Sequence, residues 1–490
     1  MSTRVRFAPS PTGYLHIGGL RTALYNFLLA QGQGGSAILR IEDTDRSRFV
    51  ADAEQDIITS LAWAGLRFDE SPVAGGDRGP YRQSERTRHY SGAAQTLLDQ
   101  GHAYLAFDTP EELDTLRSTK TSEGQAPPRY SASTRGSMKN SLSLAVGDVE
   151  RLVAEGVPHV IRLRVPEDEV VTFSDIVRGE VSFNSNEVDD QILVKSDGMP
   201  TYHLANVVDD HLMGITHVIR GEEWLSSTPK HVLLYRFLGW DVPAMAHLPL
   251  ILSPTGGKLS KRNAESQGIP VFVRDYQAEG YEPEALLNYI AFLGWNPGTD
   301  QEIFDLDELA GVFTLERVGS SGVQFSIDKL RWFNEQHLRR LGSEELSSRV
   351  RTHLDTAGLD VADDYLSAVL DLMRDRISFA ADVAAARYFF EDPDRYDEKG
   401  IAKRWKDDSG PLLTTYAARL EEASNLDAET AETVLRDLAE ERQVGAGRII
   451  HPCRLAVSGV TFGPGLFELM ELLGQSTCVR RLRSAVTRLT

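Results

Sequence analysis

The order of apolar patterns in the first 65 residues constrains the fold of this chain more than any other feature. Residues 5–8 form a short strand candidate that Pro9 ends, and residues 37–41 form a second one. Each is followed by apolar residues at helical spacing, in residues 20–28 and 53–61. Two strand–helix pairs in succession predict the start of a doubly wound α/β sheet, and ligands of such sheets bind outside the carboxyl ends of the strands.

Length and composition set the class of protein. The 490 residues are too many for one compact core, and at ~150 residues per domain they predict about three domains. No stretch approaches the ~20 apolar residues of a membrane-spanning helix, and residues 1–6 lack the apolar run of a secretory signal. The two cysteines, Cys453 and Cys478, are too few for a disulfide framework or a four-cysteine zinc site, so we expect a reducing cytoplasm.

The rest of the chain changes character twice. Residues 118–144 are rich in Ser, Thr, Gly and Lys, which predicts an irregular stretch within an inserted subdomain. Strand patterns follow in four segments: residues 160–165, 181–183, 191–194 and 217–220. Beyond about residue 330 helical spacing dominates, which predicts an all-α C-terminal third.

The charge is negative overall and uneven along the chain. With 52 Lys and Arg against 72 Asp and Glu, the net charge is −20, which argues against a general nucleic-acid coat protein. Residues 441–490 carry seven Arg against three Glu, a balance of 7 − 3 = +4. This basic end is either an ordinary solvated surface or a face for an anionic partner.

The first segment that carries chemistry is residues 8–19, which lie between the first strand and the first helix. Gly18 and Gly19 begin the helix and let a ligand approach its backbone closely. The exposed N–H groups and the dipole of a helix start attract phosphate, and His16 can donate a hydrogen bond to a phosphate that gains charge. The alternative is a Pro/Gly turn with a solvent-facing histidine.

The second segment is the lysine loop, residues 256–262, which reads Gly-Gly-Lys-Leu-Ser-Lys-Arg. Lys258 and Lys261 can follow a polyphosphate chain and offset the charge of a phosphate under attack and of a departing pyrophosphate. The alternative is a basic surface turn. The Gly-x-x-x-x-Gly-Lys-Ser/Thr pattern of a P-loop does not occur in the sequence.

The third segment is dense in polar side chains and runs from residue 197 to residue 224. Tyr202, Asn206 and Arg220 suit a small zwitterion with a carboxylate, because arginine binds carboxylates bidentately. Four further residues match the spacing of no standard metal site, and we interpret them as helix-capping or hydrogen-bonding residues: His203, Asp209, Asp210 and His211.

Together these segments resemble the signatures of class I aminoacyl-tRNA synthetases, and specifically of bacterial-type glutamyl-tRNA synthetases. Residues 16–19 resemble the family's HIGH motif with glycine in the fourth place, and residues 258–262 resemble its KMSKS motif. The glutamate branch is marked by further segments, residues 6–13, 40–46, 79–86 and 202–210, and residues 329–334 extend the match into the helical region. The resemblance covers essentially the whole chain.

The resemblance implies an architecture. We expect a Rossmann-type α/β catalytic domain with an α+β insertion, followed by a stem-contact region and an all-α C-terminal anticodon-binding region. The two halves of the catalytic domain are expected at residues 1–85 and 201–249, separated by the acceptor-stem-binding insertion at residues 86–200. The stem-contact region with the lysine loop is expected at residues 250–335, and two helical anticodon-binding domains at residues 336–395 and 396–490. The basic C-terminal end then has a partner in the phosphates of tRNA.

The resemblance also implies the site residues. Glutamate is expected against Arg6, Ser10, Glu42, Tyr202, Asn206, Arg220 and Trp224. Arg6 would face the side-chain carboxylate, Arg220 the α-carboxylate and Glu42 the ammonium group. Glutamine would leave the charge of a buried Arg6 without a partner, which would favour glutamate by several kcal/mol.

ATP and Mg²⁺ are the expected cofactors. ATP would lie over Ala8, His16, Gly18 and Gly19, with Glu223 near the ribose and the two lysines of residues 258–262 on the phosphates. The catalytic set is then His16, Gly18, Gly19, Lys258 and Lys261.

The implied reaction has two steps. The substrate carboxylate attacks the α-phosphate of ATP and gives glutamyl-adenylate and pyrophosphate, without a protein base, because the carboxylate is ionised at pH 7. The terminal 2′-hydroxyl of the tRNA then attacks the anhydride and releases AMP, and the family usually requires bound tRNA for the first step. We expect a monomer that uses tRNA-Glu.

One departure from the family concerns zinc. Many relatives carry a zinc site in the insertion, with Cys-x-Cys near the position of residues 106–108. This chain has Ala106 and Asp108 there and no cysteine before Cys453. We therefore predict no zinc.

Several alternatives remain. A non-discriminating enzyme would glutamylate both tRNA-Glu and tRNA-Gln; Arg374 and Arg376 are candidates to read the anticodon, or else ordinary surface charges. A glutaminyl enzyme is disfavoured because that family has Pro-Glu-Pro-Asn-Gly where this chain has Pro-Ser-Pro-Thr-Gly at residues 9–13. A truncated paralogue is disfavoured because such proteins lack the C-terminal helices. A free-standing nucleotidylyltransferase would not need those helices, and an inactive RNA-binding paralogue is disfavoured by the intact histidine and lysines.

Overall fold

The computed structural model describes residues 2–118, 128–259, 264 and 266–489. The chain forms two compact units. Unit 1 comprises Met1–Glu279 and Leu286–Ile327, and unit 2 comprises Gly280–Ala285 and Asp328–Thr490.

The described strands lie in unit 1. In chain order they are β1 (Arg4–Phe7), β2 (Ser36–Leu39), β3 (Ala103–Ala106), β4 (Val160–Leu163), β5 (Val170–Asp175), β6 (Gly179–Asn184), β7 (Ile192–Val194), β8 (His217–Gly221), β9 (Ala244–Leu248), β10 (Ile251–Leu252) and β11 (Val323–Gln324). The helices up to residue 312 are α1 (Ile17–Gly32), α2 (Ala53–Trp63), α3 (Thr87–Asp99), α4 (Pro110–Ser118), α5 (Val146–Ala154), α6 (Tyr202–Leu212), α7 (Thr228–Phe237), α8 (Val273–Ala278), α9 (Pro283–Ala291) and α10 (Leu306–Val312).

The first 65 residues form the predicted parallel strand pair. Val5 lies opposite Ala37 in β1 and β2, and α1 connects the two strands. The apolar residues that predicted α1 are all buried: Leu20, Ala23, Leu24, Phe27 and Leu28. The helix ends where Gly34 adopts a φ of 60°, a left-handed conformation that glycine tolerates without strain.

A four-stranded sheet completes the catalytic half of unit 1. Its strand order is β6-β5-β9-β8, with β8 and β5 parallel to β9 and β6 antiparallel to β5. The backbone N–H of Thr216, just before β8, donates to the carbonyl of Arg4 in β1 at 2.9 Å. The strand pair β1–β2 is thereby joined to this sheet.

The insertion has its own antiparallel sheet of order β3-β4-β7. In the irregular stretch predicted by composition, residues 128–144 contain a single short 3₁₀ turn, Arg135–Ser137, among the residues that the structure describes. The strands predicted near residues 160, 181, 191 and 217 are present as β4, β6, β7 and β8. No strand was expected at β3, β5, β9, β10 or β11.

Unit 2 consists of helices and the loops that connect them, with no strand among its described residues. Its helices are α11 (Ile327–Arg340), α12 (Ser343–Thr356), α13 (Asp363–Met373), α14 (Ala381–Ala385), α15 (Glu398–Arg404), α16 (Ser409–Glu422), α17 (Ala428–Glu441), α18 (Gly447–Ser458), α19 (Leu466–Leu473) and α20 (Gln475–Leu489). Leu413, Leu435 and Leu482 are fully buried in one apolar core of this unit. Among the described residues, no helix combines the length and the apolar character needed to cross a bilayer.

Candidate active site

A cavity of about 1270 Å³ opens in unit 1 where β1, β8 and β9 end. Its walls come from all three segments that the sequence analysis singled out: residues 6–19, residues 197–224 and the lysine loop at Lys258. The cavity therefore lies where a doubly wound sheet is expected to bind its ligand.

The turn between β1 and α1 places His16 at the N-cap of α1. Its Nδ1 accepts a hydrogen bond from the backbone N–H of Gly19 at 3.1 Å. A Cβ on Gly18 would lie only 3.1 Å from the imidazole, so this position needs glycine to admit the cap. The first turn of α1 holds no acidic side chain, so none of its own residues opposes an anion at the positive end of the helix dipole.

The cap also fixes the protonation state of His16. The ring is open to the cavity but enclosed by protein on its other sides, and this loss of solvation lowers its pKa, as do Lys258 and Arg21, whereas Glu223 acts in the opposite direction. A neutral ring whose Nδ1 accepts carries its proton on Nε2. His16 thus offers an N–H donor to a ligand.

A second segment of the chain, residues 271–274, supports this turn. The N–H of Ile17 donates to the carbonyl of Val271, and the N–H of Val273 donates to Leu15, both at 2.9 Å. The guanidinium of Arg274 lies 3.6 Å from the centre of the Tyr14 ring. The segment that follows the lysine loop is thereby paired with the histidine turn, which the sequence analysis did not foresee.

The lysine loop begins as a tight turn. Gly256 and Gly257 have φ values of 92° and 74°, and the N–H of Leu259 donates to the carbonyl of Ile251 at 2.8 Å. The Nζ atom of Lys258 lies 3.8 Å from a carboxylate oxygen of Glu223, and both side chains are about half exposed. Lys261, which the sequence analysis assigned to phosphate, lies outside the described residues, as do Ser260 and Arg262.

Arg6 is buried at the opposite end of the cavity. Its Nε donates to Oδ1 of Asp210 at 3.0 Å, and one Nη1 hydrogen points to the carbonyl of Ile219 at 3.4 Å. Arg40, fully buried, donates to the same oxygen of Asp210 at 2.8 Å and to Glu42 at 3.0 Å. Arg40 also lies 3.8 Å from Asp209, which pairs with Arg86 at 2.6 Å, so three arginines and three carboxylates form a buried group whose formal charges cancel.

Burial acts to raise the pKa of both Asp210 and Glu42, but the nearby arginines offset this effect to different extents. Burial alone would raise the pKa of Asp210, but Arg6 and Arg40 outweigh it and hold the pKa below its usual value. Burial raises the pKa of Glu42, although Arg40 acts in the opposite direction. The Nδ2 atom of Asn206 lies 3.4 Å from Oε1 of Glu42, on the side that faces the cavity.

Arg220, at the end of β8, is held by side chains on three sides. Its hydrogen bonds run to Tyr202 Oη at 3.0 Å, His231 Nδ1 at 3.1 Å, Thr228 Oγ1 at 3.0 Å and His247 Nε2 at 3.1 Å. The ring of Trp224 packs on that of Tyr202, with centroids 4.1 Å apart. Arg220 is buried except where it meets the cavity.

The cavity brings together almost all of the predicted site. It is lined by the whole expected glutamate set: Arg6, Ser10, Glu42, Tyr202, Asn206, Arg220 and Trp224. It is also lined by the described members of the expected ATP and catalytic sets: Ala8, His16, Gly18, Gly19, Glu223 and Lys258.

The sequence analysis missed the residues behind the cavity wall. Arg40 stands in the 40–46 segment that marks the glutamate branch, but no pattern indicated that it pairs with Asp210. Asp209 serves in hydrogen bonds, as interpreted, and accepts from Arg86, Tyr90 and Gln83. Thr228, His231 and His247 stand in no motif, so a single sequence carries no signal for them.

The two anticodon candidates in unit 2 differ in their surroundings. The guanidinium of Arg374 donates to the carbonyls of Leu341 at 2.6 Å and Arg339 at 3.3 Å, which commits it to the end of α11. Arg376 is exposed, and its charge lowers the pKa of the nearby Arg454, on which burial is the larger influence.

The residues at the position of the relatives' Cys-x-Cys pair form hydrogen bonds and apolar contacts in this chain. Asp108 accepts a hydrogen bond from Tyr130 Oη at 2.9 Å and from the N–H of Lys139 at 2.7 Å, and Ala106 is buried in β3. Among the described residues, no three His, Cys, Asp or Glu side chains are grouped closely enough to hold a metal ion.

Comparison with known proteins covers the whole chain. Residues 2–332 match the catalytic-domain model of class I tRNA synthetases (E and Q), and residues 341–486 match an anticodon-binding-domain model. The glutamate–tRNA ligases of Chloroherpeton thalassium and Cytophaga hutchinsonii are 47% and 45% identical over 99% of this chain and 98% of theirs.

A solved structure agrees in fold. A glutamate–tRNA ligase from Elizabethkingia meningosepticum, crystallised in complex with its amino acid, superposes with a TM-score of 0.94 at 42% identity and full coverage of both chains. The resemblance and the predicted fold class, a Rossmann-type catalytic domain followed by an all-α anticodon-binding region, are confirmed. This chain belongs to the glutamate–tRNA ligase family of class I tRNA synthetases.

Proposed function

We propose that this chain attaches L-glutamate to the 3′ end of tRNA-Glu, using ATP and releasing AMP and pyrophosphate. One observation carries the proposal: two buried guanidinium groups, Arg6 and Arg220, open on the same cavity as the N-terminus of α1. Two fixed cations suit an amino acid with two carboxylates, and a helix start with a histidine donor suits a polyphosphate.

At the glutamate end, Arg6 binds the side-chain carboxylate, Arg220 the α-carboxylate and Glu42 the ammonium group. Ser10, Tyr202, Asn206 and Trp224 complete the wall. The formal charges of Arg6, Arg40, Asp210 and Glu42 already cancel, so bound glutamate meets a neutral group and one further cation, Arg220. Glutamine lacks the second negative charge, and this loss would favour glutamate by several kcal/mol.

At the ATP end, the backbone of Ala8, Gly18 and Gly19 approaches the nucleotide, and Glu223 lies near the ribose. The Nε2–H group of His16 donates a hydrogen bond to the phosphate that gains charge, and Lys258 and Lys261 neutralise the departing pyrophosphate. Mg²⁺ accompanies the ATP phosphates and supplies charge neutralisation there; we assign no residue of the chain to it.

The reaction then needs positioning more than proton transfer. The α-carboxylate is ionised at pH 7 and attacks the α-phosphate directly, which gives glutamyl-adenylate. The ribose hydroxyl of the terminal tRNA adenosine attacks the carbonyl of this anhydride, and AMP leaves. We propose that the enzyme acts as a monomer in the cytoplasm, and that Arg374 and Arg376 contact the anticodon.

Charging of separately purified tRNA-Glu and tRNA-Gln with labelled glutamate, at equal salt, tests the proposal. Charging of tRNA-Glu alone supports a discriminating enzyme. Charging of both supports the second candidate, a non-discriminating enzyme whose product on tRNA-Gln needs a separate amidotransferase. If the folded protein binds tRNA but charges neither, the proposal is refuted.

A further inference from the structure

The hydrogen-bond inventory of Arg220 is nearly complete before any substrate binds. Its Nε–H donates to His247, its two Nη1 hydrogens face Tyr202 and His231, and one Nη2 hydrogen donates to Thr228. A guanidinium has five N–H groups and no acceptor. Within the described part of the chain, one Nη2 hydrogen is therefore left for a ligand.

This inventory fixes the protons of the two imidazoles behind Arg220. His247 accepts at Nε2, so its proton is on Nδ1, from which it donates to Oδ2 of Asp175 at 2.6 Å. His231 accepts at Nδ1, so its proton is on Nε2, which faces Nδ1 of His203 at 3.0 Å. Burial lowers the pKa of both imidazoles, and the Arg220 charge lowers them further.

The far end of the chain of hydrogen bonds is anchored on the backbone. Oδ1 of Asp175, at the end of β5, accepts from the N–H groups of Val177 at 3.0 Å and Arg178 at 2.9 Å. The other oxygen, Oδ2, is left for His247. Because the guanidinium of Arg220 can only donate, the buried order Asp175–His247–Arg220 has one arrangement of donors and acceptors. The hydroxyl of Thr228, 3.1 Å from the same Nε2 of His247, can only donate to it.

We propose that Asp175, His247 and His231 are positioning residues, which fix Arg220 so that a single N–H of its guanidinium meets the α-carboxylate of glutamate. This inference rests on the proposed function and deepens it. It also implies that the two arginines bind the two carboxylates of glutamate in different ways. Arg6 has three N–H groups left within the described residues and grips the side-chain carboxylate bidentately, whereas Arg220 supplies charge and one directed hydrogen bond to the α-carboxylate.

The isosteric variant Asp175→Asn tests the proposal. Its Oδ1 still has to accept from Val177 and Arg178, so its NH₂ group faces His247. His247 must then accept at Nδ1 and carry its proton on Nε2, where it opposes the Nε–H of Arg220. An asparagine in place of the aspartate of a carboxylate–imidazole pair inverts the tautomer in this way while the shape is kept.

The expected result is a split between the two substrates in tRNA-Glu charging. The KM for glutamate should rise about 10- to 100-fold, the range for one lost charge-assisted hydrogen bond, while the KM for ATP stays within about 2-fold. The double variant Asp175→Asn with His247→Ala should be no worse than His247→Ala alone, because the two residues act in series.

Asp190→Asn is the matched control. Asp190 is equally buried and accepts from Tyr104 Oη at 2.6 Å, but it has no contact with Arg220, so its variant should keep the glutamate KM. An unchanged glutamate KM in Asp175→Asn, or a parallel rise of both KM values, overturns the inference. A wild-type protein that charges no tRNA overturns the proposed function, and the inference with it.

A second measurement needs no variant to fold well. Histidine-labelled ¹⁵N spectra of the wild-type protein at pH 7 should show His247 protonated at Nδ1 and His231 protonated at Nε2. A proton on Nε2 of His247, or a doubly protonated ring at either residue, contradicts the arrangement.

Discussion

Replacement of Asp210 by asparagine separates the charge of the buried group from its hydrogen bonds. Arg6 and Arg40 both donate to Oδ1 of Asp210, and Oδ2 has no hydrogen-bond partner among the described residues. An asparagine that keeps its oxygen at Oδ1 retains both bonds and places its NH₂ group where Oδ2 lies. The lowered pKa of Asp210 means that the wild-type side chain is ionised at pH 7, so the substitution removes one full negative charge.

The magnitude follows from the charge count. Arg6 and Arg40 balance Asp210 and Glu42, and the variant leaves one positive charge without a partner among side chains that are at most 6% exposed. An uncompensated buried charge costs about 3–5 kcal/mol. If hydrogen bonding alone mattered, the loss would stay below about 1 kcal/mol, because both bonds survive.

Hydrogen exchange resolved by peptide is the suitable assay, because a chain of two units has no single free energy of unfolding. We expect the opening free energy of α6, which carries Asp210, to fall by about 3–5 kcal/mol. Peptides of α16 in unit 2 should not change. Asp99→Asn, an exposed swap of the same type, serves as the control and should stay within about 0.5 kcal/mol. A loss below about 1 kcal/mol in Asp210→Asn would refute the charge-balance reasoning.

Three further predictions concern the lysine loop, pH and zinc. Lys258→Ala should lower kcat for adenylate formation about 100-fold with little change in the glutamate KM, measured by tRNA-dependent pyrophosphate exchange, and an unchanged kcat contradicts its role. Burial lowers the pKa of His203 to about 3. As the pH falls, this histidine is therefore protonated in the unfolded chain before it is protonated in the folded one. The folded state keeps its full stability above about pH 7 and loses stability as the pH drops from 6.5 towards 3. At pH 5 the loss is about 2 kcal/mol for this histidine, and the opening free energy of α6, which carries it, should depend less on pH in His203→Asn than in the wild type when measured by hydrogen exchange. Metal analysis of the purified protein should find no zinc, and one zinc per chain would contradict the interpretation of residues 106–108.

The sequence predicted some strands and missed others for a local reason. The strands β2 and β8 contain the pairs Ile-Leu and Val-Ile, and β1 contains Val and Phe; Val, Ile and Phe are residue types that are enriched in strands. β9 reads Ala-Met-Ala-His-Leu and has no β-branched residue, and the polar Thr172, Ser174 and Asp175 of β5 hide its alternation of buried and exposed positions. The residues that support Arg220 from behind, Asp175 and His247, come from these two missed strands.

The sequence by itself determined β1, β2 and β8, the helices that follow the first two, and the groups that meet within a few residues of each other. The cap of His16 on Gly19 spans three residues, and the glycines that permit it are visible in the segment itself. The expected glutamate residues were placed by family motifs, each of which is a local pattern.

Tertiary structure alone decided where the charges balance and where the protons sit. Arg6 meets Asp210 across 204 residues, and His247 meets Asp175 across 72. Periodicity reports which face of an element is buried, but it does not report which distant group shares the burial. The pKa, the tautomer and the one N–H of Arg220 that faces the cavity depend on that shared burial, because the low dielectric of the interior makes each neighbouring charge and hydrogen bond decisive.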